Sequence, residues 1–326
     1  MKYQLLFSIP IHERLEVVID QILNIKHCNP YSAIVFHLSQ GYKDANSSLN
    51  KESFIQIIEK IGDVYLNPVS VRTGMDDIIQ AHIENYCFIK DKIDFEYFCI
   101  CASNESFIKK GLYESIKSYD GGASQNSVSG WLYEKELKED EDFQHYIGSR
   151  GDGYQVRTYP EGQFFKKEVF EYIAKEIATF FDHTTIKTAY PRDEVYFATL
   201  LGILRMKDHS IKIGPVFTYS AYHLTHLWNV TRQRIVLDLN KRKDIYTIKR
   251  VDRNINDSVR AYLRQTLGYL EEEKKLLDGI CFIDRYSNAQ IDWMDIKKLI
   301  NPVFKNMDSV WSRLGLKPPK KGKIKN

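Results

Sequence analysis

The chain has 326 residues, 43% of them hydrophobic, which is enough to bury a sizeable core and excludes a chain that is disordered throughout. With 46 basic against 43 acidic residues the net charge is +3, so bulk charge provides no polyanion-binding field and no nucleic-acid partner is expected. The five cysteines, Cys28, Cys87, Cys99, Cys101 and Cys281, lack the paired spacings of a zinc site and are expected to be reduced and buried.

In chain order, the apolar run 3–10 suits a first strand rather than a secretory leader, and Leu15, Val18, Ile19, Ile22 and Leu23 then recur at helical intervals. Residues 32–38 read as a second strand, and strand, helix, strand opens a parallel α/β sheet. Ligands of such sheets lie beyond the carboxyl ends of the strands, which marks His37, Ser39 and Gln40; a histidine there serves equally well as a structural group. A short strand at 64–66 and a helix over 75–88 follow, with Gly74 between them as either a plain turn glycine or a site residue. The run 94–102 is the most strand-like in the chain and leads into Ser103-Asn104-Glu105. No stretch reaches the roughly 18 apolar residues that a membrane span needs. A cytoplasmic location is expected.

Residues 119–160 are irregular, with glycine-rich segments around the charged run 134–142, which reads as a solvated helix. Asp140-Glu-Asp142 lies within that run and is not expected to bind a metal. After a helix over 167–180 comes Tyr190-Pro-Arg-Asp-Glu194, where Pro191 suits the first helical position and Asp193 and Glu194 fall in the first turn. Acids in a first turn are ordinary helix stabilisers or a chemical centre, and the stripe Phe197, Leu200, Leu201 and Leu204 does not choose between the two carboxylates. Residues 216–220 suggest a short strand whose Tyr219 is a core aromatic or a stacking platform. His223 and His226 lack a third ligand for a metal. Beyond residue 257 the pattern is helical, over 259–273 with Gly268 inside, then 293–300 and 307–314, ending in a basic tail beside Trp311 and Leu316.

The run Asp193-Glu-Val-Tyr-Phe-Ala-Thr-Leu-Leu201 resembles the Pro-Asp-Glu-x-aromatic-x-x-Thr-Leu segment of glycosyltransferase family 14, the core-2/I-branching N-acetylglucosaminyltransferases and peptide O-xylosyltransferases. Here Arg192 separates the proline from the acidic pair. Further likeness lies in Glu161-Gly-Gln-Phe-Phe165 and in Lys249-Arg250, which falls over the family's basic pair. His37-Leu-Ser39, Val71-Arg-Thr-Gly74, Ser103-Asn104-Glu105 and Thr218-Tyr219 occupy the places of family motifs with altered residues. The likeness runs to about Val251. It implies a GT-A-like α/β catalytic domain over 1–255, with a mainly parallel central sheet flanked by helices. A helical C-terminal region over 256–316 and a basic tail over 317–326 would then be an appendage.

The resemblance also implies an inverting sugar transfer in which Glu194 is the base. Asp193 and Tyr219 would lie on the acceptor side, and His37, Gly74, Ser103, Asn104, Glu105, Lys249 and Arg250 around the nucleotide sugar. Metal-dependent transferases hold the donor diphosphate through a divalent ion on Asp-x-Asp, and Ser103-Asn104-Glu105 supplies one carboxylate, so no metal cofactor is expected. Lys249 and Arg250, and to a lesser extent Arg232, Arg234 and Arg242, would meet the charge on the leaving group. The implied donor is UDP-N-acetylglucosamine or UDP-xylose, with other sugar nucleotides left open, and the acceptor is a saccharide or glycolipid. Residues 119–160 are expected to cover the acceptor site. The C-terminal helices are expected to pack on the domain, form a homodimer or lie on a membrane, and the tail suits contact with anionic lipid at an inner leaflet or simple solubilisation. The rival reading is a non-catalytic carbohydrate-binding or scaffold protein on the same fold.

Overall fold

A computed structural model describes residues 2–40, 42, 51–74, 77–180, 188–220, 229–251 and 257–269. Its first half is a strict alternation: β1 (Lys2–Ile11), α1 (Leu15–Cys28), β2 (Ser32–Leu38), α2 (Lys51–Ile61), β3 (Val64–Asn67), α3 (Ile78–Ile89) and β4 (Asp94–Ile100). Then come β5 (Glu105–Phe107), α4 (Leu112–Ile116), β6 (Gly121–Gly122), α5 (Glu134–Lys138), α6 (Glu141–Arg150), β7 (Phe164–Lys166) and α7 (Lys167–Phe180). A 3-10 turn at Arg192–Glu194 leads into α8 (Tyr196–Lys207), followed by β8 (Ile213–Gly214), β9 (Thr218–Tyr219), α9 (Asn229–Asn240), β10 (Thr247–Lys249) and α10 (Ser258–Leu267).

The central sheet runs β3-β2-β1-β4-β7-β6-β8, parallel from β3 to β4 and antiparallel on both sides of β7. Helices cover both faces, so the strands read as unbroken apolar runs rather than alternating ones. Leu5, Phe7, Ile9, Ile34, Phe36, Tyr97 and Cys99 pack towards α1 and α2, while Leu6, Val35, Phe98 and Ile100 pack towards α3, α7 and α8. The chain is thus α/β with a mostly parallel central sheet flanked by helices. A smaller sheet, β5-β10-β9, lies beside it. All described residues fall in one compact unit, and residues 270–326 lie outside the described residues.

Several expectations need correction. The charged run 134–142 is two helices broken at Asp140, whose carboxylate caps Phe143 N–H at 3.0 Å and accepts the hydroxyls of Tyr190 and Tyr196. Gly268 ends α10 instead of continuing it, taking a positive φ of 85° that glycine adopts without strain. Residues 119–160 are more regular than expected, carrying β6, α5 and α6, and Ala123, Val128, Leu137, Phe143, Tyr146, Ile147 and Val156 belong to the core that includes α8. Of the cysteines, Cys28, Cys99 and Cys101 are buried, whereas Cys87 is exposed. Cys281, His223, His226, the helices expected over 293–314 and the basic tail lie outside the described residues. Among the described residues no helix is long and apolar enough to cross a membrane.

Candidate functional site

In the central sheet the chain steps outward from β1 to β2 to β3, then returns to place β4 on the other side of β1. The strand order therefore reverses between β1 and β4, the place where an α/β sheet leaves a crevice beyond its carboxyl ends. A cleft of about 590 Å³ occupies that place. Its walls are His12 and Glu13 after β1, Ala102, Ser103 and Asn104 after β4, Ile78 at the start of α3, Glu161 before β7, and Lys249, Arg250 and Val251 around the end of β10.

Short backbone ties fix these walls. Ser103 Oγ accepts the His12 N–H at 3.2 Å, joining the two strand ends. Val251 N–H donates to the Asn104 carbonyl at 3.0 Å, which draws the β10 exit over the cleft, and Arg250 between them adopts a φ of 64°. Glu161 is fixed by its neighbour. Gly162 has a φ of 80°, and a Cβ there would lie 2.5 Å from the Thr218 backbone nitrogen, so the close approach needs glycine. Gly162 N–H donates to Ile100 O at 2.9 Å and Phe217 N–H to Gly162 O at 3.1 Å, clamping the segment between the two sheets. The Glu161 carboxylate pairs with Lys249, while its Oε2 has no hydrogen-bond partner.

The acidic pair does not begin an α-helix as expected. Pro191 has an extended backbone (φ −72°, ψ 104°) and caps the 3-10 turn; the turn breaks at Val195, and α8 starts only at Tyr196. That break turns the carboxylates back towards the segment carrying Glu161. Thr158 N–H donates to Glu194 O at 2.8 Å, and Gln163 Nε2 lies 3.5 Å from Asp193 O. Arg192, 1% exposed, reaches Asp77 at 3.6 Å and so ties the turn to the start of α3.

Burial dominates the electrostatics here. The Glu194 carboxyl is pushed up to about 7, first by burial and then by the Glu161 charge, against the opposing pull of Lys249, Arg157 and Arg250. Asp193, 2% exposed and with Oδ1 lacking a hydrogen-bond partner, is held well above the carboxylate range by burial, Glu161 and Glu194. Glu161, Asp193 and Glu194 thus form one acidic group beside two cations of the cleft wall.

Ser103, Asn104, Lys249 and Arg250 line the cleft, and Glu194 and Asp193 adjoin it electrostatically. Glu105 stands under it: its carboxylate accepts the hydroxyls of Thr218 and Thr247 and the Ala102 N–H, joining β5, β9 and β10, and burial raises it to about 7. It is a staple of the small sheet and does not line the cleft. His37 is buried, accepts the Val71 N–H on Nε2 at 2.9 Å and is held neutral by burial, also away from the cleft wall. Gly74 accepts the N–H groups of Asp77 and Ile78 on its carbonyl, both at 3.2 Å, and leads into α3. Tyr219 is half-buried in β9 and is likewise not a wall residue.

Sequence reasoning missed His12, Glu13 and Glu161. The strand-end argument that marked His37 at the end of β2 applies more strongly to His12 and Glu13 after β1, which flanks the point where the strand order reverses. Among the described residues no group of three or more His, Cys, Asp or Glu side chains is arranged to hold a metal ion. No protein-family model matches the chain, and no curated protein matches it. Fold and site together define an α/β protein with a polar, part-basic cleft at its topological switch point.

Proposed function

We propose that the chain is an inverting glycosyltransferase that moves a sugar from a UDP-sugar to a saccharide hydroxyl without a metal. The observation that carries this reading is Glu194, a half-buried carboxyl pushed up to about 7 that feels the charges of Lys249 and Arg250 in the wall of the neighbouring cleft. A general base works best when its pKa lies close to the working pH, because it is then both deprotonated and able to accept a proton. Glu194 takes the proton of an acceptor hydroxyl as that oxygen bonds to the anomeric carbon. The bond from that carbon to the donor diphosphate breaks on the opposite face, and its electron pair leaves on the diphosphate. Lys249 and Arg250 meet the charge that develops there, the part a divalent ion takes in other transferases. Burial, Glu161 and Glu194 raise Asp193 well above its ordinary value, which favours its neutral form beside the base.

A cleft of about 590 Å³ is in the range of small-ligand sites. The donor sugar is N-acetylglucosamine or xylose in this reading, on the strength of the family resemblance alone. Calorimetric titration with UDP in EDTA and again with manganese tests the donor site, followed by transfer assays on both UDP-sugars with wild type and Glu194→Gln. Expected are UDP binding in EDTA, and loss of transfer with binding retained in the variant. Transfer at the wild-type rate in Glu194→Gln removes Glu194 from the mechanism. Binding that appears only with manganese sinks the metal-free part. UDP binding with no transfer on any donor favours the non-catalytic alternative.

A further inference from the structure

Lys249 is the better buried of the two cations in the cleft wall, with 18% of its side chain exposed, and Glu161 at 9% holds it directly. The carboxylate already neutralises this ammonium and takes one of its donors, so an incoming anion meets it there as a competitor. We propose that Glu161 competes with the diphosphate of an incoming ligand for Lys249, so that the pair is a latch which the ligand opens on entry and Glu161 closes on release. This inference rests on the nucleotide-sugar reading and adds a regulatory part to the same site.

Three observations support it. Glu161 keeps one oxygen, Oε2, without a hydrogen-bond partner, so the carboxylate is anchored on one side only. Gly162, clamped to Ile100 and Phe217, holds the Glu161 backbone still while the side chain changes partner. Arg250 is exposed at the same end of β10 and supplies a first landing point for the anion before Lys249 is won. The competition also sets a charge requirement. A monoanion replacing one carboxylate on Lys249 gains nothing electrostatically, whereas a diphosphate brings a second negative charge to Arg250 in the same step. After transfer, Glu161 reclaims Lys249 and hastens departure of the nucleotide.

The test uses P1,P2-dimethyl pyrophosphate, a diphosphate diester whose two charges do not titrate near neutrality, with dimethyl phosphate as the monoanion. Calorimetry on the full chain compares wild type, Glu161→Gln, Lys249→Gln and the double variant. Glu161→Gln is expected to bind the diester about tenfold tighter, and in the Lys249→Gln background the same change is expected to alter affinity by less than about threefold. Unchanged or weaker binding in Glu161→Gln overturns the latch. So does an equal tightening in both backgrounds, which makes Glu161 a bulk charge. Should Glu161→Gln fail to fold, wild-type protein suffices: the Glu161 carboxyl carbon and the Lys249 Nζ signals are expected to move along one saturation curve in NMR, and an unmoved Glu161 signal sinks the idea. Failure of both UDP and the diester to bind any variant rejects the nucleotide-sugar reading and the latch with it; diester binding that ignores Glu161 rejects the latch alone.

Discussion

Asp20 and the Glu161–Asp193–Glu194 group are both buried acid, yet they are supplied with cations in opposite measure. Asp20 accepts Arg260 Nη1 at 2.8 Å, Arg264 Nη1 at 3.1 Å and the Tyr269 hydroxyl at 3.3 Å, two guanidinium groups on one carboxylate, and so docks α10 on α1. The second centre has three carboxyls and one cation in direct contact, Lys249. Over-compensated charge is complete within the chain and holds elements together; under-compensated charge stores unfavourable energy that a proton or a ligand relieves. A site for chemistry is recognised by that deficit more than by its acidity.

The comparison breaks most sharply at Glu194→Gln, for which transfer is expected to fall by about 10²–10⁴-fold in a UDP-sugar assay. Its urea midpoint at pH 8 should match wild type or exceed it, since a buried carboxylate has been neutralised. Asp20→Ala should do the reverse. It removes an acceptor shared by two buried guanidinium groups and is expected to cost about 3–5 kcal/mol in urea denaturation. A loss under about 1 kcal/mol would show that the two arginines find equal partners elsewhere.

Acidity sharpens the contrast next. Because Glu194 is poised at about 7, kcat/KM should rise about tenfold per pH unit up to that point and level above it, as the base form fills. Stability runs the other way. Glu105 and Glu194 both titrate near 7 in the folded chain against a reference of 4.5, so the folded state binds more protons between those values and stability falls as pH rises through the window. Glu105→Gln should flatten that slope in melts between pH 4.5 and 7. The smallest effect is expected of Asp193→Asn: because burial and two neighbouring acids favour the neutral carboxyl, stability at pH 7 should change by less than about 1 kcal/mol. A larger loss would mean that Asp193 is ionised.

Sequence periodicity located the strands well where both faces are apolar: the second strand was placed at 32–38 and spans Ser32–Leu38. It did less well where polar contacts decide. Nothing local to 134–142 announces that Asp140 serves two tyrosines from residues 190 and 196, and Pro191 reads as a helix start although Val195 breaks the turn. The carboxylate pair and the Lys249-Arg250 pair were singled out by the family resemblance, since spacing alone left helix stabilisers and a solvated basic patch open. Glu161 was visible as part of a segment, but its closeness to Lys249 depends on Gly162 packing against Thr218, a contact across 56 positions that no spacing rule reveals. His37 and Glu105 lie off the cleft wall for a related reason. Their chemistry suits a ligand, and only the fold reveals that Val71 engages one ring nitrogen of His37 and that the paired threonines engage Glu105.

The positive φ of Arg250 has a bearing on engineering. A non-glycine residue in that region costs about 1–2 kcal/mol, and glycine or asparagine would relieve it. Selection for thermal tolerance alone would therefore favour replacing Arg250, and each such replacement would remove a cation from the rim of the cleft. Residue 250 is where a library sorted on melting temperature and one sorted on anion binding should diverge most clearly.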